Sequence, residues 1–159
     1  MTPAERLTQA RAALDAVTDP EIPVLTIADL GVLRDLRLDG ETLEVVITPT
    51  YSGCPAMSVI ALDIETALAG LGPIRVRTVL APAWTTDWMS AEGRRKLLEY
   101  GIAPPPAAGR GALFGQDHPA CPRCGSARTE TISAFGSTAC KALHRCLECR
   151  EPFDAFKCH

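Results

Sequence analysis

The chain has 159 residues, 47% of them hydrophobic and 5% aromatic, with a formal net charge of −3. That length buries one good core with room for a small satellite unit, and so few aromatics leave the core to Ala, Val, Leu and Ile. The weak negative charge excludes the electrostatic attraction on which a nucleic-acid or anionic-membrane partner depends.

The opening stretch MTPAERLTQARAALDAV has no basic segment followed by an apolar run, so it does not read as a signal peptide. No later run is long and apolar enough to span a membrane. Seven cysteines without an export signal favour reduced thiols and metal binding over a disulfide framework. A cytoplasmic location is the expectation.

Thr2-Pro3-Ala4-Glu5 has the form of a helix start, with Thr2 as cap, Pro3 in the first turn and Glu5 closing a capping box. Leu7, Ala10, Leu14 and Val17 then share one face. TDPEIPV ends that helix, because a residue preceding proline is pushed out of the α region. RDLRLDGETLEVVIT reads as a hairpin turning at Asp39-Gly40, with Leu43, Val45 and Ile47 on one side of its return strand. After a loop at Cys54, Met57, Ile60, Ile64 and Leu68 form a helical stripe stopped by GLGP, and IRVRTVL alternates as a strand. Strand, helix and strand over this length imply a right-handed βαβ crossover.

A short helix near AEGRRKLLEYG follows, with Ser90 as its expected cap. The expected domains are 1–102, a Pro/Gly/Ala-rich linker over 103–117, and a cysteine-dense unit over 118–159. Trp84, Trp88 and Met89 form either an apolar patch facing a partner or packing on the sheet.

In the tail, Cys121 and Cys124, then Cys146 and Cys149, make two CxxC pairs with 21 residues between them. A two-residue gap lets a tight knuckle aim both sulfurs at one ion, and two knuckles complete a tetrahedron. The segment is too short to build its own core, so metal binding would supply much of its folding free energy. It reads as a zinc ribbon, with Phe153 and Phe156 packing near the second knuckle. Four sulfurs close the coordination shell, which favours structural Zn2+; iron or a cluster in the same cage is the alternative. Cys140 is either a second functional thiol or a small buried residue. Cys158 and His159 read as a solvated tail, and neither they, His118 nor His144 belongs to the metal set. A ribbon that bound nucleic acid would need a basic stripe, and none is present.

Cys54 stands alone between a strand and a helix whose first residue is expected to be Pro55. An N-cap thiolate there would face unpaired N–H groups and the positive end of the helix dipole, which lower a thiol pKa. No histidine occurs in the first 117 residues, so a Cys–His catalytic pair has no local base and no catalytic residue is assigned. A transient metal or cluster ligand needs only an accessible thiolate; an inert half-buried cysteine is the plainer alternative. Asp19 and Glu21 would either face the Cys54 loop as oxygen ligands or remain solvated charges at a helix exit.

At DPEIPVLTIADLGVL, TPTYSGCPAM and VLAPAWTTDWMS the first 100 residues resemble the metal-sulfur cluster assembly domain of iron–sulfur maturation factors. The tail CPRCGS…FGSTACKALHRCLECREPFDAFK is similar to one branch of that family, the PaaD (PaaJ) accessory subunits of the phenylacetyl-CoA epoxidase system of phenylacetate catabolism. The resemblance implies an α+β (α/β) domain with a βαβ unit followed by a C-terminal zinc ribbon. It places Cys54 at the family's cysteine and Asp19 and Glu21 in its acidic loop. It further implies a non-catalytic accessory of this aromatic-compound degradation pathway that aids insertion of iron or of a labile iron–sulfur cluster. The implied partners are the oxygenase and reductase components, with a homodimer as a further arrangement; the alternative is a stable structural subunit without metal transfer.

Overall fold

A computed structural model describes residues 1–105 and 118–156 and divides the chain into two compact units, one of residues 1–84 with 88–90 and the other of 91–159 with 85–87. The first unit begins with α1 (Pro3–Leu14), capped as expected: Thr2 Oγ1 accepts from Glu5 N–H while the Glu5 carboxylate accepts from Thr2 N–H. Ala10 and Leu14 are buried and Leu7 half-buried, so the helical spacing does carry the core face, whereas Val17, also buried, lies past the helix end at Leu14. The Arg6 guanidinium ties the start of α1 to the distant chain by donating to the carbonyls of Leu71, Glu41 (2.7 Å) and Pro73.

The hairpin forms between β1 (Leu33–Asp39) and β2 (Thr42–Ile47), with Asp39 paired to Thr42 across the turn. Following α3 (Ala56–Ala67), the strand β3 (Ile74–Thr78) lies parallel to β2, which completes the expected βαβ unit. The sheet order β1-β2-β3 makes β2 the central strand. Leu43, Val45 and Ile47 are fully buried beside Ile60, Ile64 and Leu68 in the core. Glu44 occupies the opposite sheet face and is also buried, held by Arg37 (2.6 Å) and Arg77 (2.9 Å). The hydrogen bond from Arg37 lowers its pKa against the desolvation that would raise it.

Within this unit a short helix escapes the periodicity reading. A four-residue helix, α2 (Ile27–Leu30), has a capping box of Thr26 with Asp29 and ends at Gly31. Its T-x-x-D signature is visible in the sequence, but one turn is too short to show a 3.6-residue period. Trp84 and Met89 are buried, and Trp84 Nε1 donates to Leu30 O at 2.9 Å. Trp88 is half-buried beneath the Arg34 guanidinium, 3.5 Å from its ring centre. Burial of Trp84 and Met89 favours packing of the cluster, with Trp84 bonded to α2 and Trp88 left half-exposed.

The second unit holds α4 (Ala91–Tyr100) and a four-stranded sheet of order β4-β7-β6-β5. Its strands are β4 (Ile102–Ala103), β5 (Thr129–Ser133), β6 (Lys141–Cys146) and β7 (Pro152–Phe156). The sequence reading ends the first domain at 102, whereas α4 and β4 group with the cysteine-rich tail. The parallel pairing of Ile102 with Asp154 and of Ala103 with Ala155 joins them to it, a long-range match that a two-residue strand does not announce. The Ser90 hydroxyl, expected at the cap of α4, donates to Asp29 Oδ1 at 3.1 Å. Most of the expected linker, together with Cys158 and His159, falls outside the described residues. Among the described residues no helix is long and apolar enough to cross a membrane.

Candidate metal centres

The tail quartet is built by two matched turns. In the first, Gly125 N–H donates to Cys121 O and Cys121 N–H to Ser126 O, both at 2.9 Å. In the second, Cys146 N–H donates to Glu151 O at 3.0 Å. Each turn needs a left-handed residue just after its second cysteine. Gly125 (φ 76) supplies it in the first and Arg150 (φ 63) in the second. These turns bring the sulfurs of Cys121, Cys124, Cys146 and Cys149 within 4.8 Å of one another. Cys121 lies 3.8 Å from Cys149, and Cys124 lies 3.5 Å from Cys146. Sulfurs at ~2.3 Å from a tetrahedral ion stand about 3.8 Å apart, so the cage fits such an ion with little adjustment.

Half of this cage is rooted in a core. Cys121 and Cys146 are buried with Ala103, Phe153 and Ala155, and Cys124 and Cys149 are exposed. Phe156 is buried as well, and Phe153 stacks on His144 at 5.6 Å. The crowded thiols share protons unequally. Desolvation would raise Cys146, but the N–H groups of Cys149 and Glu148 hold it at about 6. For Cys149 the Glu151 N–H works downward, yet burial and the neighbouring sulfurs push it up to about 12. Bare, the cage resists carrying four negative charges; a divalent cation removes that resistance.

Cys140 is buried, 3.0 Å from the Thr138 hydroxyl, which agrees with its reading as a small interior residue. His144 is buried and Thr131 Oγ1 lies 3.5 Å from its Nδ1. Neither belongs to the cage, and His118 is exposed.

Cys54 has a different setting. Residues Tyr51 to Cys54 close a turn, with Cys54 N–H donating to Tyr51 O at 3.3 Å. Gly53 takes the third position at φ 79, where a side chain would be strained. The helix cap is Pro55, so Cys54 stands one residue earlier than expected; its carbonyl accepts from Met57 N–H at 3.3 Å.

The expected pKa shift is corrected in sign. Burial raises the Cys54 thiol above its ordinary value. The Ala56 N–H and the Tyr51 hydroxyl, donating to sulfur, oppose this, while the charges of Glu21 and Asp19 reinforce it. Helix-terminal N–H groups do act on the thiol as foreseen, but desolvation and two anions outweigh them.

The same charges place the acidic loop within electrostatic reach of the thiol. That loop is closed by Asp19 N–H to Leu25 O and Ile27 N–H to Val17 O, both 2.9 Å. Asp19 is buried, and its Oδ1 accepts from Glu21 N–H (2.8 Å) and Ile22 N–H (2.9 Å). Asp19 therefore shapes the turn, while Glu21 is half-buried on it. Among the described residues, the tail quartet is the group whose donors already converge; Cys54, Asp19 and Glu21 are electrostatic neighbours without being a closed cage.

Comparison with known proteins divides along the same lines. Residues 7–81 match the iron–sulfur cluster assembly protein family, and residues 105–157 match the PaaD zinc β-ribbon domain. The chain is 52% identical, over 92% of its length and 90% of the relative's, to a protein of Escherichia coli (strain K12) provisionally named as one of the subunits of 1,2-phenylacetyl-CoA epoxidase. It is 38% identical over 82 residues, 49% of this chain and 79% of the relative, to the Fe-S protein maturation auxiliary factor YitW of Bacillus subtilis (strain 168). A crystal structure of a DUF59 domain from Bacillus anthracis superposes with a TM-score of 0.51 at 27% identity, covering 60% of this chain and 93% of that one.

Proposed function

This chain belongs to the PaaD family of phenylacetyl-CoA epoxidase subunits, and we propose that it is a non-catalytic accessory that helps install iron or an iron–sulfur cluster in that oxygenase system. The observation that carries the reading is the electrostatics of Cys54. A thiol within reach of two carboxylate charges resists a bare negative charge, since each anion raises its pKa. A cation reverses the balance: it displaces the proton, and the carboxylates then attract the ion instead of repelling the thiolate. Cys54 would supply the sulfur ligand and Glu21 an oxygen, with Asp19 holding the loop and its second oxygen in reach.

Such a site suits a cargo that is held and released, because two or three donors leave coordination positions for a recipient's ligands. Iron or a labile cluster is that cargo here. The tail cage would hold structural Zn2+, because four thiolates leave no open position for chemistry. The partners on this reading are the oxygenase and reductase components, in the cytoplasm.

The test is co-expression of those components with wild-type protein or Cys54→Ser. Iron and acid-labile sulfide per recipient should fall with the variant, and epoxidase activity with them. Unchanged metal content and activity would refute metal transfer. The second reading, that of a stable structural component of the complex, draws on the raised thiol pKa. It predicts co-purification at fixed stoichiometry with active enzyme and no effect of Cys54→Ser.

A further inference from the structure

The helix that follows Cys54 has two apolar faces where its fold requires one. Ala56, Ile60, Ile64 and the adjoining Leu68 form the inner stripe and are buried. Pro55, Val59 and Leu62, at i, i+4 and i+7, fall on the opposite side, because a 3.6-residue turn stacks those positions in one row. Val59 is 44% exposed and Leu62 62% exposed, and Pro55 is exposed too. A surface helix with one buried stripe ordinarily presents charge on the other.

The two hydroxyls bordering this row are satisfied within the helix. Thr66 donates to Leu62 O at 2.8 Å and Ser58 to Pro55 O at 3.4 Å, so neither depends on water for a partner. The row begins at the residue after Cys54, making it continuous with the thiol site.

The segments that build it carry charge of one sign. No Lys, Arg or His occurs between Arg37 and Arg75, nor between Arg11 and Arg34. The intervening segments supply the Cys54 loop, all of α3 and the Asp19–Glu21 turn. Asp63 and Glu65 are exposed on α3, and both charges acting on the Cys54 thiol are negative. Arg6 approaches beyond the far end of the helix, where it is engaged by the carbonyls of Leu71 and Pro73.

The geometry points to Pro55, Val59 and Leu62 as a docking ridge for the protein that receives cargo from Cys54: a surface with an apolar strip rimmed by Lys and Arg. This rests on the reading of Cys54 as a transfer thiol and adds to it the chemistry of the recipient. A second copy of this chain would set acidic rim against acidic rim, which costs affinity, whereas a basic rim gains from the same field. The apolar row would supply most of the binding energy and the acidic rim the steering.

The experiment uses the full metal-loaded chain and the purified oxygenase and reductase components in turn, with binding followed by fluorescence anisotropy. Val59→Ser combined with Leu62→Ser should weaken binding by about tenfold or more, as loss of central apolar contacts does. Asp63→Lys with Glu65→Lys should weaken it several-fold and flatten its salt dependence. Neither pair should alter anaerobic ferrous-ion binding by the isolated chain, whereas Cys54→Ser should abolish that binding and leave docking intact. Loss of docking with retained ion binding, or the converse, thus separates the ridge from the thiol. The inference is overturned if neither component binds the wild type, if the serine pair binds as tightly, or if binding ignores salt. It is equally overturned if sedimentation shows a wild-type dimer that the serine pair dissociates.

Discussion

Four cysteines in the tail and one in the first unit bear the same functional group, yet the chain prepares them for opposite ends. Cys121, Cys124, Cys146 and Cys149 converge within 4.8 Å, two of them rooted in a small core of Ala103, Phe153 and Ala155. Cys54 has an N–H donor, a phenol and two carboxylates around it, and no second sulfur among its neighbours that shift its pKa. On the proposed reading, convergence would make a bound ion part of the fold, and partial convergence would make it cargo. A closed tetrahedron holds what it takes up, and an incomplete one leaves room for another molecule's ligands.

The largest effect should come from breaking the cage. Cys146→Ser should lose the bound metal and unfold the tail, because structural zinc in isolated fingers is worth about 10–16 kcal/mol. Metal analysis and limited proteolysis would show the loss, with the first unit resistant to cleavage. The parallel Cys54→Ser should leave both readouts of the tail unchanged. If both substitutions release the same metal, the division between the two kinds of site is wrong.

Acid should then separate the regions. The cage discharges its ion as the thiolates gain protons, so metal release read with a chromophoric chelator should precede unfolding of the first unit. Within that unit Glu44 has a folded pKa below its unfolded one. The folded state therefore binds this proton less readily, and the contribution of Glu44 is present above the ordinary carboxylate range and lost as pH falls through the depressed value. Glu44→Gln should flatten that acid limb in a denaturation series.

Chemical modification gives a smaller, sharper contrast. With the cage metal-loaded, Cys54 should react with iodoacetamide more slowly at neutral pH than an unhindered thiol, since its raised pKa leaves less thiolate. Glu21→Gln removes one of the raising charges and should speed alkylation by roughly a factor of two to three. An unchanged rate, followed by mass spectrometry, would show that Glu21 does not govern the thiol. The smallest effect concerns the second knuckle. Arg150 occupies a left-handed position at φ 63 that its counterpart Gly125 occupies freely. Arg150→Gly should relieve strain of about 1 kcal/mol, raising resistance of the tail to denaturant.

Much of this molecule is legible from local rules. The α1 cap needs only Thr2 and Glu5, the hairpin only alternation and a turn at Gly40, and the cage only two CxxC pairs at a workable spacing. Each is decided by residues close in sequence, or by a motif whose geometry is independent of the rest. The helix α2 is hidden by its length, and β4 by having two residues and a partner some fifty positions away.

Sequence by itself determined the longer elements of the first unit, the family and which four sulfurs form the candidate cage, because propensity, period and ligand spacing are short-range properties. Tertiary structure alone decided the direction in which the Cys54 pKa moves. A helix start in isolation lowers a thiol pKa, but the folded chain partly buries the sulfur and brings the charges of Glu21 and Asp19 within electrostatic reach, so desolvation and two anions prevail. Burial and through-space charge depend on what the rest of the chain brings near, and no local pattern records them.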